Sequence, residues 1–519
     1  MKPYDFLIRK ARIVDGTGAP WYLGDVAIKG DRIAAIGNLS PGDAAEVIEA
    51  GGRYLTPGFV DTHVHSDLLL LAQPDFPAAV YQGVTSHVIG QDGISYAPSF
   101  KWQPHLRHYF AGINGDPQLS QKWGSVAEYL AHFDDASALN VAYLLPQGAI
   151  RLEVMGLDER EPTREEIAAM QALAAQGMRD GAVGLSTGLD YIPCFYSGTQ
   201  EIGEVCQPVG ELGGVYVSHI RSYGDRLETA FDEAVEIGRI GGLPVHISHF
   251  NGRAPRLSGM VDRARSAGAD VTFDTYPFLA GCSILSMIAL PRAMEQGGIE
   301  ATIERLQKPE TRQQLAEYYA QPAYPLTSLQ LTYVENEADR DLEGLYLPDA
   351  AQRRGKCLSD FVADLLVASR MKVAVIAHHS NRAEEDVIAL MQHPAHVGGS
   401  DGIYTGSRPH PRGFAAFARY LEYVRDRQVM PLETMVQHLA GHPARRFHLK
   451  GRGIITPGFF ADLNLFDLGE IKAHVAYGEE PRLAEGMGSV FVNGQPVLRD
   501  GKATGLRPGR AVRGPGAKA

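Results

Sequence analysis

Six residues able to hold a metal ion or move a proton stand at the ends of strand-like runs. His63 and His65 sit two apart in "DTHVHSD" (61–67), behind the apolar run "RYLTPGFV". In extended backbone, residues i and i+2 point to the same side, so both imidazoles face one point. Neutral imidazole is a common metal ligand, and Asp61 or Asp67 is expected to orient a ring from behind. Asp92 ends "VTSHVIGQD", His219 lies in "GVYVSHI", His249 in "LPVHISHF", and Asp401 ends "HVGGSD". One such residue alone reads as a polar rim residue; six such positions on the expected strands point to a metal site. Nitrogen and carboxylate donors without thiolates suit Zn²⁺, one ion or two, with Mn²⁺, Co²⁺ or Fe²⁺ as alternatives. A bound ion lowers the pKa of water and polarises a carbonyl. A carboxylate such as Asp401 then takes the water's proton and passes it to a leaving amine. That chemistry is hydrolysis of an amide or related bond.

Those residues converge only if the strands share a sheet. Between residues 57 and 445, eight strand-like runs alternate with helical patterns: "GFVDTH", "VTSHVIGQD", "NVAYLLPQG", "AVGLSTG", "GVYVSHI", "LPVHISHF", "DVTFDTYP" and "HVGGSD". Alternation of this kind implies a parallel sheet, and eight runs fit a closed (β/α)8 barrel of TIM type. All C-terminal strand ends of such a barrel open onto one face. Helices are expected at "PTREEIAAMQALAAQGMRDG" and "LETAFDEAVEIGRIGG", the second with a glycine stop. A helical insertion is expected around 285–370, before the strand-like "KVAVIAHHS". Residues 1–56 and 446–519 show period-2 alternation broken by turns, so the two ends are expected to pair into a small β-sandwich domain. The closing "LRPGRAVRGPGAKA" reads as a flexible tail.

The chain of 519 residues is long enough for a large core, and 45% hydrophobic with 21% charged residues is ordinary for a globular protein. A net charge of −12 argues against nucleic acid or an anionic membrane as partner. Cys194, Cys206, Cys282 and Cys357 show neither CxxC spacing nor a disulfide framework. With no long apolar run, the expected location is cytoplasmic and the expected partner a small molecule, homo-oligomer formation being left open. His378 and His379 read either as lining a pocket or, with more weight, as a polar helix entrance, and His246 as a packed or supporting residue. Neither Ser186 in "GLSTG" nor the isolated Cys282 is read as a nucleophile.

The motifs "PGFVDTHVHSD", "YVSHIRS", "VHISHF", "GSDG" followed by "PHPR", and "HPARRFHLKGRGIITPGFFADLNLFD" resemble the amidohydrolase superfamily. "GAVGLSTGLDYIP" and "DTYPFLAG" narrow the resemblance to its N-acyl-D-amino-acid deacylase (D-aminoacylase) branch. The likeness runs in order along nearly the whole chain. It implies a metal-bearing barrel that hydrolyses N-acyl-D-amino acids, or related carboxylate-bearing amides, by attack of metal-bound hydroxide. It also implies His63, His65, His219 and His249 as ligands, Asp401 as general base, and Tyr191 and Arg412 as substrate-holding residues. Two departures stand out. Where the branch reads "GNCG", with cysteine as ligand, this chain reads "GQDG", placing Asp92 there as a bridging ligand or as a turn residue before Gly93. Where it often reads "SHxK", this chain has "SHFN", so Asn251 replaces a lysine expected to pair with the substrate carboxylate. A neutral amide hydrogen-bonds but brings no charge. The runner-up is a cyclic amide hydrolase of the dihydroorotase or hydantoinase kind, whose bridging lysine has no obvious counterpart at a strand end. A non-catalytic homologue is expected to have lost the ligands retained here.

Overall fold

The computed structural model describes residues 2–379 and 382–517, and its centre is one sheet of eight parallel strands in chain order. They are β1 (Phe59–Asp61), β2 (Val84–Ile89), β3 (Asn140–Pro146), β4 (Gly184–Gly188), β5 (Val215–His219), β6 (Val245–Ile247), β7 (Val271–Thr275) and β8 (His396–Gly398). Each falls in one of the eight runs picked out by sequence. A sheet covered on both faces demands apolar or self-satisfying residues at every position, and β2 and β3 are buried throughout. The barrel closes just beyond β8. The Asp401 N–H donates to the His63 carbonyl at 2.7 Å and the His65 N–H to the Gly402 carbonyl at 2.9 Å. Closure therefore sets His63, His65 and Asp401 side by side.

The helices follow their end signals. Arg164–Asp180 starts on a capping box between Thr163 and Glu166, and Leu227–Gly241 stops at Gly242, whose φ of 67° favours glycine. Between β7 and β8 the chain makes a long excursion with the helices Gly298–Leu306 and Pro309–Tyr318. It also builds an antiparallel sheet of its own, in which Val373–His378 lies between Ala280–Ile284 and Leu329–Val334. Val373–His378, within the strand-like "KVAVIAHHS", is the middle strand of that sheet rather than part of the barrel.

The two chain ends share a nine-stranded mixed sheet. Its seam is antiparallel, Tyr54–Pro57 against Leu463–Phe466, with Leu55 opposite Leu465. Ile8, Val26, Leu55, Leu463 and Phe491 fill its core. The expectation of a flexible tail is corrected for residues 507–513; Lys518 and Ala519 lie outside the described residues. The Gly509 N–H donates to Ser137 at 2.7 Å, Val141 to Arg510 at 2.9 Å, and Val512 to Val141 at 2.7 Å, binding the tail to β3. Arg507 pairs with Asp75, Arg510 with Asp31, and Arg513 with Asp134. The arginines of the segment are thus ion-paired to carboxylates from the rest of the chain. Among the described residues, no helix is long and apolar enough to cross a membrane.

Candidate metal centre

His63 and His65 leave β1 on the same side, Asp92 follows β2, His219 ends β5, His249 follows β6 and Asp401 follows β8. Asp92, His249 and Asp401 have φ of 57°, 34° and 50°, a left-handed backbone that ordinary residues avoid and that clusters at functional sites. Glycines make room for this turn. A Cβ on Gly90 would meet the Leu144 carbonyl, and one on Gly188 the Asp92 carbonyl, each at 2.2 Å.

Asp92 is the hub. Its Oδ1 lies 3.6 Å from His63 Nε2, and its Oδ2 3.6 Å from His65 Nε2 and 3.7 Å from both His219 Nδ1 and His249 Nε2. Asp401 Oδ1 approaches the first pair from the other side, at 3.6 Å from His63 Nε2 and 3.4 Å from His65 Nε2. Two triads, His63–Asp92–His249 and His63–His65–Asp401, each bring three donor atoms within 4.8 Å of one another. His219 completes the second histidine pair, its Nδ1 3.0 Å from His249 Nε2. Five of the six are buried and His249 is largely so, and His63 Nε2 and Asp92 Oδ1 have no hydrogen-bond partner among the described residues. Buried polar atoms are ordinarily satisfied, and lone pairs of nitrogen and carboxylate converging on one point suit a divalent cation.

The charges fit that purpose. Burial opposes ionisation of Asp92, but the surrounding histidines outweigh it and hold its carboxyl well below the usual range. Burial likewise opposes a charge on His219, yet Asp190 and Asp92 push it up to about 9. Asp401 is also held low against burial, chiefly by Arg412, whose Nη1 is 2.8 Å from Asp401 Oδ2.

The amidohydrolase family profile matches residues 46–498. The chain belongs to the amidohydrolase family. A D-aminoacylase of Alcaligenes xylosoxydans xylosoxydans is 34% identical to this amidohydrolase over 98% of each chain. An N-acyl-D-glutamate deacylase from the same organism is 31% identical, over 98% of this chain and 96% of the relative. The crystal structure of the N-acyl-D-glutamate deacylase of Bordetella bronchiseptica holds zinc and a phosphonate mimic of the tetrahedral intermediate. It superposes with a TM-score of 0.83 at 31% identity, covering 99% of this chain and 100% of that one.

The amidohydrolase has a cavity of about 190 Å³ over this centre, reached by His65, Asp92, His219, His249 and Asp401. The excursion between β7 and β8 walls it with Cys282, Ser283, Met287 and Ile288. Tyr191 and Arg412 both line it, the Tyr191 hydroxyl 2.9 Å from Ser283 Oγ. Asn251 does not. Its carbonyl oxygen accepts from Thr275 Oγ1 and its amide donates to the His249 carbonyl at 3.1 Å, so its polar atoms are used locally and it faces an adjoining outer groove. His379 lines the cavity, against the reading of a helix entrance, whereas His378 bonds to Gln330.

Sequence reasoning missed the residue behind the ligands. Asp274 in β7 is fully buried, its Oδ2 3.4 Å from His63 Nδ1 and 3.0 Å from His246 Nε2, while its Oδ1 accepts the His249 N–H at 2.8 Å. The signal was an acidic residue inside the run "DVTFDTYP", since a charge on a barrel strand must find a partner. Asp61 and Asp67, expected to orient a ring, do other work. Asp61 accepts from the Ser400 N–H and hydroxyl and from the His63 N–H, bracing the closure; Asp67 accepts from Gly90 N–H and Ser95 Oγ. The Gly184, Ser186, Gly188 spacing does match a nucleophile elbow, but Ser186 lies within β4. Its hydroxyl donates to the Gly90 carbonyl at 2.5 Å and accepts the Gly93 N–H at 3.0 Å, clamping the turn that carries Asp92.

Proposed function

We propose that this amidohydrolase is a zinc-dependent deacylase of N-acyl-D-amino acids. The carrying observation is Asp92 set between two histidine pairs, with an ionised Asp401 facing the same point at the floor of a small cavity. The ligands are His63, His65, Asp92, His219, His249 and Asp401, with Asp92 reaching both pairs. Bound zinc polarises the scissile carbonyl and makes water nucleophilic near neutral pH. Asp401 accepts the proton of the attacking water and delivers it to the departing amine nitrogen. Arg412 keeps that carboxylate ionised and aimed, and Tyr191 and Arg412 form part of the substrate wall. The D configuration is supported by the named relatives, and Ile113, Met287, Ile288 and Ile403 offer an apolar wall for an uncharged group. A cyclic amide hydrolase with a bridging lysine is disfavoured, since among the described residues no lysine lines the cavity. We place the enzyme in the cytoplasm, in keeping with four unpaired cysteines.

The test is a panel of N-acetyl-D- and N-acetyl-L-amino acids assayed with zinc-reconstituted protein for release of free amino acid. Turnover of D substrates that is abolished by chelation and restored by zinc is expected. Zinc-loaded protein that hydrolyses no D substrate, or full activity without metal, would refute the proposal.

A further inference from the structure

The other end of the barrel holds a second cavity. Its volume is about 560 Å³, and Pro244, Asp270 and Pro394, which line it, stand just before β6, β7 and β8. The candidate metal ligands stand at or beyond the opposite ends of their strands, so the two cavities lie on opposite faces of the barrel. The second cavity reaches the barrel wall. Thr272 of β7 lines it, and its hydroxyl is 2.9 Å from Nδ1 of the fully buried His246. Small-molecule sites usually measure roughly 300–1,000 Å³, so a metabolite fits here.

Charge sets this cavity apart. In a chain of net charge −12, Arg265, Arg445 and Arg446 line it against one carboxylate, Asp270. That carboxylate is already taken, since Arg446 Nη1 donates to Asp270 Oδ2 at 3.1 Å and its Nη2 donates to Oδ1. Arg265 Nη1 donates to the Val271 carbonyl at 2.8 Å, and among the described residues neither Arg265 nor Arg445 pairs with a carboxylate. Two positive charges are left over. Burial, then Arg446 and Lys450, lower His448, which also lines the cavity, so its ring is neutral at pH 7 and keeps one N–H to give. Its Nε2 has no hydrogen-bond partner among the described residues.

A single carboxylate would leave one of the two charges unmatched. A phosphate group carries about −1.5 to −2 at pH 7, and its oxygens suit the planar fork of arginine. We infer that this cavity binds a phosphate group, free or esterified to a small metabolite, on Arg265, Arg445 and His448. The inference stands apart from the deacylase reading, because no residue of the metal centre lines this cavity.

The experiment is calorimetric titration of the zinc-loaded full chain with inorganic phosphate and with glucose 6-phosphate, using succinate as a dicarboxylate control. Wild type is compared with Arg265→Met, Arg445→Met, the double variant and Arg445→Lys, each checked for zinc content and melting temperature. Loss of a charge-assisted hydrogen bond should weaken phosphate about tenfold in each single Met variant and further in the double variant. Arg445→Lys keeps the charge and should recover part of the loss. Tighter binding of glucose 6-phosphate points to an esterified ligand, and tighter binding of phosphate to the free ion; each supports the site. Phosphate also has zinc within reach, and the double variant separates the two places. Equal phosphate affinity in wild type and double variant puts the anion on the metal and overturns the inference. No binding of either phosphate probe to wild type, or succinate held as tightly as phosphate, overturns it as well.

Discussion

Replacing Asp274 by asparagine tests the centre through a residue that never touches substrate. In the native arrangement Oδ1 accepts the His249 N–H at 2.8 Å, and Oδ2 faces His63 Nδ1 at 3.4 Å and His246 Nε2 at 3.0 Å. A carboxylate accepts only, so it fixes the proton of His63 on Nδ1 and leaves the Nε2 lone pair toward Asp92 and Asp401. Asparagine has one accepting oxygen. If that oxygen keeps the His249 N–H, the amide N–H₂ turns to the two rings and asks both nitrogens to accept. His63 is then driven to the tautomer with hydrogen on Nε2, where the metal lone pair should be. Loss of such a support typically costs 10- to 100-fold in metal affinity, or about 1.4–2.7 kcal/mol. The assay is competition for zinc between purified metal-free protein and a chromophoric chelator, with circular dichroism confirming the fold. A zinc affinity in folded Asp274→Asn within about twofold of wild type would falsify the tautomer argument.

Asp401→Asn removes the proton carrier but leaves His63 and His65, so kcat should fall by about 10²–10⁴-fold with zinc still bound. It also leaves the buried Arg412 unpaired, at a cost of about 3–5 kcal/mol that a denaturant titration will read; a folded variant with near-native kcat overturns the role. Asp92→Asn keeps a residue that tolerates φ of 57° while removing the charge at the hub. Metal content and rate should fall together, and unchanged stoichiometry with an unchanged rate assigns Asp92 to the turn. Zinc affinity should rise with pH, because in metal-free protein His219 is protonated up to about 9 and a ligand must shed its proton, about tenfold per unit for each proton displaced. The sign for stability is opposite. A raised histidine stabilises the metal-free fold fully below about pH 6.5 and ceases to as pH rises through about 9, so metal-free protein should melt lower at pH 9 than at pH 6.5. A flat zinc affinity between those values would sink this reading.

What was legible in sequence was what periodicity and spacing encode. The apolar runs became the eight strands because a sheet buried on both faces tolerates little else, and residues at their ends met because parallel strands end together. The parts not legible depend on pairings over long separations. "KVAVIAHHS" has the composition of any buried strand, and only its antiparallel neighbours, Ala280–Ile284 and Leu329–Val334, assign it to the excursion. Residues 507–513 look solvated until Asp31, Asp75 and Asp134 are placed opposite their arginines. Asn251 sits at the position that suggested a substrate contact, yet Thr275 from the neighbouring strand claims its carbonyl.

The seam between Tyr54–Pro57 and Leu463–Phe466 has a consequence for synthesis. Its first strand leaves the ribosome about 400 residues before its partner, which at roughly 5–20 residues per second is a wait of about 20–80 s. Through that interval the growing chain carries an open edge at Tyr54–Pro57, a template for any passing strand. Slower elongation lengthens the exposure and faster elongation shortens it, so the yield of folded enzyme is tied to translation speed as well as to the stability of the finished molecule.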